Sequence, residues 1–414
     1  MKRGIIIFIV LIVLLSGLFG YVGPGMMDEK VRMQLIRVVL LLLIPTVIVF
    51  QSSVPGSPLI KATIVLMILQ FISMFGALVL HNQSLTDSFI VTCYALVFLL
   101  FPLMYILELD ERALIRLCFV LGIWSVFISF VQQFTWPNYL FGALGETEEG
   151  EANMRNGVIR YGLTGRGMSL LMLLYSFQKY LDEGKSKYLI CMIIGLVGTY
   201  LSCTRQVMVG TVGCLLVGLY LKGKMKVWTF AGILFVGLVI YHYSDVLFSE
   251  YAEMTEEQMN SDEEYIRFVA YRFYGVEYNK GEPLAFLVGN GLPRQDHSAY
   301  GDEMLNYREN FGLYQSDIGL VGEYSLHGIF YVLVILYIFY YVFKMRKYIS
   351  LYLQLYMLFA AVTSVMLMPF RGDAGTWETI MVLYLIDMEI ARNKKIEYII
   401  NNQVNALQRD GAGV

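Results

Sequence analysis

The chain has 414 residues, 57% of them hydrophobic and 16% charged, with a formal net charge of −3 and a mean hydropathy of +0.59. This composition excludes an ordinary soluble domain and places the chain among polytopic membrane proteins, because apolar runs near the ~20 residues needed to cross a ~30 Å hydrocarbon core recur along it. Nucleic acid is not an expected partner; the lipid bilayer is.

In chain order the runs cover 4–22, 35–50, 59–80, 88–107, 112–134, 165–181, 187–202, 205–221, 227–243, 319–343, 350–370 and 375–391. The second, sixth and seventh are short or carry polar residues, so the expected fold is an all-α bundle of ten to twelve spans. The Lys/Arg bias of short loops sets the orientation. With Lys2 and Arg3 inside, the clusters at Arg112 and Arg116, at Lys179, Lys185 and Lys187, at Lys222, Lys224 and Lys226, and at Lys344, Arg346 and Lys347 all fall on the cytoplasmic side. Arg392, Lys394 and Lys395 join them, so both termini are expected in the cytoplasm and the protein in the cytoplasmic membrane. The loop with Lys30 and Arg32 departs mildly from the pattern. The first span reads as an uncleaved anchor, because no small-residue cleavage site and soluble domain follow it. Cys93, Cys118, Cys191, Cys203 and Cys214 lie in or beside spans, which gives disulfides no expected role.

The domain reading is a transmembrane bundle over 1–243 with an external loop at about 135–164, a large external loop at 244–318 between the ninth and tenth spans, C-terminal spans over 319–391, and a cytoplasmic tail at 392–414. Both external segments exceed the ~12–15 residues at which a loop signals function or its own structure. The larger one opens with an acidic stretch, Glu250 to Glu264, and the spacing predicts a helix over 262–274, with Glu263 and Glu264 near its positive end.

From residue 135 onward the external basic residues are almost all arginine: Arg155, Arg160, Arg166, Arg205, Arg267, Arg272, Arg294, Arg308 and Arg371, against Lys280 alone. Arginine stays charged and presents a planar fork that matches phosphate. Pairing with Glu146, Glu148, Glu149 or Glu151 is the local alternative, strongest for Arg155. Arg160-Tyr-Gly-Leu-Thr-Gly-Arg166 leads into the sixth span with glycines that allow close backbone approach. Arg205 sits in a tight hairpin between apolar spans, where a charge without a partner or water is costly. Arg371 follows Pro369, with a surface pair to Asp373 as its alternative. Arg294 and His297 belong to a turn-rich Gly289-Asn-Gly-Leu-Pro-Arg-Gln-Asp-His297 run.

Ser316-Asp-Ile-Gly-Leu-Val-Gly-Glu-Tyr-Ser-Leu-His-Gly328 closes the large loop and enters the tenth span. Asp317 is suited both to chemistry and to capping the tenth helix. Glu323 and His327 share a helix face and are expected to pair at i,i+4. The chain carries no phosphate-binding Gly-rich loop ending in Lys-Ser/Thr, no His-Glu-x-x-His, no Cys-x-x-Cys and no nucleophile elbow. Neither a metal nor an organic cofactor is expected.

Together, Arg160-Tyr-Gly-Leu-Thr-Gly, Thr204-Arg205 and the 316–328 segment resemble motifs of the bacterial O-antigen polymerase and ligase family, the Wzy-like membrane glycosyltransferases. The span number, the external arginines and the large loop resemble that family's architecture. Family ligases often carry a His-Asn pair where Ser316-Asp317 stands here, which favours polymerase over ligase.

The resemblance implies polymerisation of oligosaccharide repeat units carried on undecaprenyl pyrophosphate into O-antigen, capsular or exopolysaccharide, with a flippase and a chain-length regulator as possible partners. It implies Arg160, Arg166 and Arg205 at the pyrophosphate, supported by Arg272, Arg294, Arg371 and Glu323, with Asp317 and then His297 as general base. A ligase transferring finished glycan and a non-enzymatic lipid or oligosaccharide transporter are the alternatives.

Overall fold

A computed structural model describes residues 2–16, 21, 29–135, 138, 140–141, 143–144, 154–155, 158–159, 161–162, 165–223, 266–295, 297–373 and 375–411. The ninth expected span, the acidic stretch and Arg160 lie outside these residues.

The first part of the chain forms helices α1 (Lys2–Leu15), α2 (Glu29–Val49), α3 (Pro58–His81), α4 (Leu85–Thr92), α5 (Leu100–Ile106) and α6 (Glu111–Thr135). A tight 3-10 segment, Cys93–Leu99, joins α4 to α5. Next come α7 (Arg166–Glu183), α8 (Ser186–Leu201) and α9 (Arg205–Leu221). The large loop holds α10 (Ile266–Arg272), α11 (Pro283–Val288) and α12 (Ala299–Phe311). The chain closes with α13 (Gly319–Lys344), α14 (Leu351–Thr363) and α15 (Thr376–Gly411). Two short antiparallel pairs, Ala143–Leu144 with Tyr161–Gly162 and Met154–Arg155 with Val158–Ile159, are the strands among the described residues.

Among the described residues, five helical stretches are long and apolar enough to cross a membrane: Lys30–Val49, Pro58–His81, Leu85–Ile106, Glu111–Thr135 and Gly319–Lys344. Arg3–Leu15, Ser186–Leu201, Arg205–Leu221 and Leu351–Thr363 are apolar but shorter. Local chemistry sets several of these boundaries. Ser57 accepts the Ile60 N–H at 3.2 Å ahead of Pro58, and Asn82 closes α3 in the left-handed region. Gly184 closes α7 in the same way.

The less apolar α7 and α15 are central. Leu171, Leu173 and Leu174 on α7, and Trp377, Ile380, Leu383 and Ile386 on α15, are fully buried among other helices. The carboxylates of α15 serve as tethers. Tyr105 donates to Asp387 at 2.6 Å, Ser350 donates to Glu389 from its amide (2.6 Å) and hydroxyl (2.8 Å), and Arg392 pairs with Glu111. The polar residues after 391, expected as a cytoplasmic tail, continue this helix to Gly411.

The expected span over 350–370 is helical only to Thr363. There the chain turns aside, and the Ser364 carbonyl accepts the Leu320 N–H at 2.8 Å at the start of α13. Pro369 prevents any return to helix. Asp317 does not cap α13. It ends a short 3-10 turn, and the capping position falls to Ile318, which has no side chain to contribute. The helix expected over 262–274 is described from Ile266 and widens into a π turn at Phe273–Glu277.

Gly328 breaks α13 with φ 77° and ψ 177°. In an unbroken helix the carbonyls of Ser325 and Leu326 would accept amides four residues on. Here they accept Asn290 N–H at 2.9 Å and Gly291 N–H at 2.8 Å. The loop after α11 therefore seals the broken helix. Glycine is required where the strands of chain touch, since a Cβ on Gly289 would lie 2.3 Å from the Leu326 carbonyl oxygen. The Gly-Asn-Gly run is thus a docking element, and it fixes the first half of α13 against α3.

Candidate functional site

A cavity of about 1250 Å³ opens where the start of α2, the top of α4, the large loop and residues 371–373 converge. Its charged lining is one-sided: Lys30, Arg37, Arg294, Arg308 and Arg371 against the single carboxylate of Asp373, with His297 beside them. Such a surface attracts anions, and its walls of Tyr94, Tyr274, Ile90 and Leu313 lower the local dielectric and strengthen that attraction. Arg37 also lies over the Tyr94 ring, 5.9 Å from its centroid.

Arg294, His297 and Arg371 are the sequence-predicted residues that the fold brings into this cavity. Arg294 pairs there with Asp87, and its amide donates to Gln83 at 2.9 Å. Arg371 has no carboxylate partner among the described residues. Asp373, the alternative partner, accepts the Gly375 (2.9 Å) and Thr376 (3.1 Å) amides and so caps α15. Lys30 and Arg37 were not expected here, although the Lys30 loop was the one departure from the orientation pattern.

The other predicted residues lie elsewhere. Arg272 is exposed and pairs with Glu277 at 2.9 Å. Arg267 donates to the Met366 sulfur at 3.6 Å. Arg205 is half-buried as the first residue of α9, outside the cavity lining. Asp317 is exposed, while its neighbours Gln315 and Ser316 line the cavity. Arg155 stands on a described strand, but its side chain is outside the described set.

Arg166 begins α7 at a second polar locus, which sequence reasoning missed. Glu378, buried in α15, accepts the Gly165 N–H at 2.6 Å and also the Gly167 N–H. Its carboxylate is wrapped by the turn that carries Arg166. A carboxylate inside an apolar span was the available signal.

Below the cavity rim the side chains of α3 and α13 form a buried polar chain. Gln70 donates to the Tyr331 hydroxyl at 2.6 Å and to the Arg371 carbonyl at 3.0 Å, and Tyr331 in turn donates to the Phe370 carbonyl. Gly372 packs directly on Gln70 with φ 73°, leaving no room for a Cβ. The cavity segment 370–372 is thereby clamped to the two helices. Next to the clamp, Glu323 and His327 are fully buried, with Nε2 of the imidazole 3.8 Å from the carboxylate. They meet as expected at i,i+4, but beyond hydrogen-bond distance.

Among the described residues, no three His, Cys, Asp or Glu side chains gather as a metal site. Comparison with protein-family models, curated proteins and solved structures gives no match to this chain.

Proposed function

We propose that the protein is a membrane glycosyltransferase that extends oligosaccharide repeat units carried on a polyprenyl pyrophosphate, working on the external face of the cytoplasmic membrane. The observation that carries this reading is the cavity at the ends of apolar helices, whose lining has five cations and one carboxylate, with Asp87 behind Arg294 and Glu309 beside Arg308 as further carboxylates. A pyrophosphate head group tethered to a lipid needs that combination: cationic donors at the membrane surface, next to apolar walls. In this reading the bundle has about twelve spans, the large loop roofs the cavity from outside, and both termini are cytoplasmic. The departure of Lys30 from the orientation pattern then has a reason, because its charge is needed at the substrate.

The acceptor hydroxyl oxygen attacks the donor's anomeric carbon while its proton passes to His297, the base that lines the cavity. The carbon–oxygen bond to pyrophosphate breaks, and the leaving group takes the electron pair. Charge that develops on the phosphate oxygens meets Arg308, Arg371, Lys30 and Arg37, already oriented in a water-poor site. Holding both lipid-linked substrates in one cavity removes the entropy of their encounter. In this reading the cavity cations hold the pyrophosphate in place of Arg166 and Arg205, while Arg160 lies outside the described residues. Arg294 and His297 remain, and His297, which lines the cavity, is taken as the base ahead of the exposed Asp317.

The test is chain extension by the purified protein in liposomes supplied with the lipid-linked repeat unit. A ladder of increasing length without nucleotide sugar supports a polymerase. Intact substrate with folded protein and no ladder redirects the reading to ligation or transport.

A further inference from the structure

The pair Glu323–His327 has an unusual proton inventory. Both side chains have no exposed surface, and neither Glu323 oxygen nor His327 Nε2 has a hydrogen-bond partner among the described residues. The other imidazole nitrogen, Nδ1, lies 3.1 Å from Ser73 Oγ. Ser73 spends its only proton on the Gln70 carbonyl, at 2.7 Å. With that proton so placed its oxygen accepts, and the tautomer assigned from this hydrogen-bond network carries the hydrogen on Nδ1 and presents a lone pair at Nε2. That lone pair faces the Glu323 carboxylate. Two acceptors then confront each other in a dry site, and one added proton resolves the confrontation by giving either side a donor.

The surroundings connect this pair to the cavity. On its own helix, the titratable neighbour besides His327 is Tyr331, whose ring centroid is 4.7 Å from the imidazole. From α3 come only the neutral Gln70 and Ser73. Gln315, which donates to Ser325 at 3.2 Å, is neutral too. The same residues reach the cavity: Gln70, whose carbonyl Ser73 holds, donates to the Arg371 carbonyl at 3.0 Å, Tyr331 donates to the Phe370 carbonyl, and Arg371 and Asp373 are the charges that line the cavity on this side.

We propose that Glu323 and His327 bind one proton between them, and that this proton is coupled through Arg371 to anion occupancy of the cavity. The inference rests on the reading of the cavity as an anion site. With the cavity empty, the positive charge of Arg371 supports the ionised carboxylate. An anion seated on Arg371 offsets that charge and adds negative charge of its own, so the protonated pair is favoured. Anion binding takes up a proton, and by linkage the anion binds more tightly as pH falls.

The experiment is calorimetric titration of inorganic pyrophosphate into the full-length protein in detergent. Two buffers of different ionisation enthalpy give the number of protons taken up, from about pH 6 to about pH 9. Pyrophosphate's own protonation is common to all proteins compared, so the difference from Glu323→Gln isolates the pair. The expected result is an excess uptake by the native protein that approaches about one proton at its maximum and disappears in Glu323→Gln while binding persists. Glu323→Ala, which removes the carboxyl group outright, must lose the same excess, and it serves where Glu323→Gln fails to fold by thermal melt. Equal proton uptake in native and variant proteins that bind pyrophosphate overturns the coupling alone. No pyrophosphate binding by the native protein overturns the cavity reading with it.

Discussion

Glu378 and residue 167 compete for one space: a Cβ on Gly167 would stand 2.0 Å from Glu378 Oε2. The glycine lets the start of α7 close around a buried carboxylate that also accepts the Gly165 amide at 2.6 Å. Gly167→Ala forces that carboxylate away from its donors, and overpacking of this kind costs about 1–3 kcal/mol. Thermal unfolding in detergent should show a lower midpoint for Gly167→Ala, whereas a Gly213→Ala control should stay near the native midpoint, because its Cβ meets nothing within 4 Å.

Removing a cavity cation should weaken anion binding selectively. Hydrogen bonds to charged groups contribute about 1.5–3 kcal/mol, so Arg371→Ala or Arg308→Ala should lower pyrophosphate affinity by about tenfold or more. Arg272→Ala, outside the cavity and paired with Glu277, should leave affinity unchanged. Equal losses in all three variants would mean that net charge, and not the cavity, governs binding.

The break in α13 depends on Gly328. An alanine there would be held at φ 77°, with its Cβ 2.2 Å from the Leu287 carbonyl oxygen. That backbone conformation, essentially confined to glycine, alone costs about 1–3 kcal/mol. Gly328→Ala should therefore unfold at lower temperature and expose the 289–291 loop, which hydrogen exchange at the Asn290 and Gly291 amides would report.

Tyr331→Phe removes the acceptor for Gln70 and the donor to the Phe370 carbonyl. Leaving such buried groups unsatisfied costs about 1–3 kcal/mol each. Because Gln70 also holds the Arg371 carbonyl at 3.0 Å, loosening the clamp should weaken pyrophosphate binding as well as stability. A binding constant unchanged in Tyr331→Phe would show that the clamp does not position Arg371.

The helices were legible wherever punctuation is local. Gly165 and Gly184 bracket the expected span over 165–181, and the helix runs Arg166–Glu183. The hairpin at Cys203 and Thr204 separates two helices at the expected place. Local signals gave out where tertiary partners decide. Nothing near Ser364 announces that its carbonyl will leave α14 to meet Leu320. Lys30 and Arg37 look like ordinary flanking charges until α2 closes on residues more than 250 positions away. Within the site, Arg294, His297 and Arg371 were readable from residue type and side. Arg205 and Arg272 have the same chemistry, and only the fold separates them from the cavity.

The central claim is that a lipid-linked pyrophosphate sits in this cavity. The most direct measurement is photocrosslinking of the membrane-embedded protein with a polyprenyl-pyrophosphate oligosaccharide bearing a photoreactive group beside the phosphates, followed by peptide mass spectrometry. The account predicts label on peptides containing residues 292–308 and 366–373, competed by inorganic pyrophosphate and reduced in Arg371→Ala. Label that falls elsewhere, such as around Arg205 or Arg272, or that pyrophosphate does not displace, would contradict it.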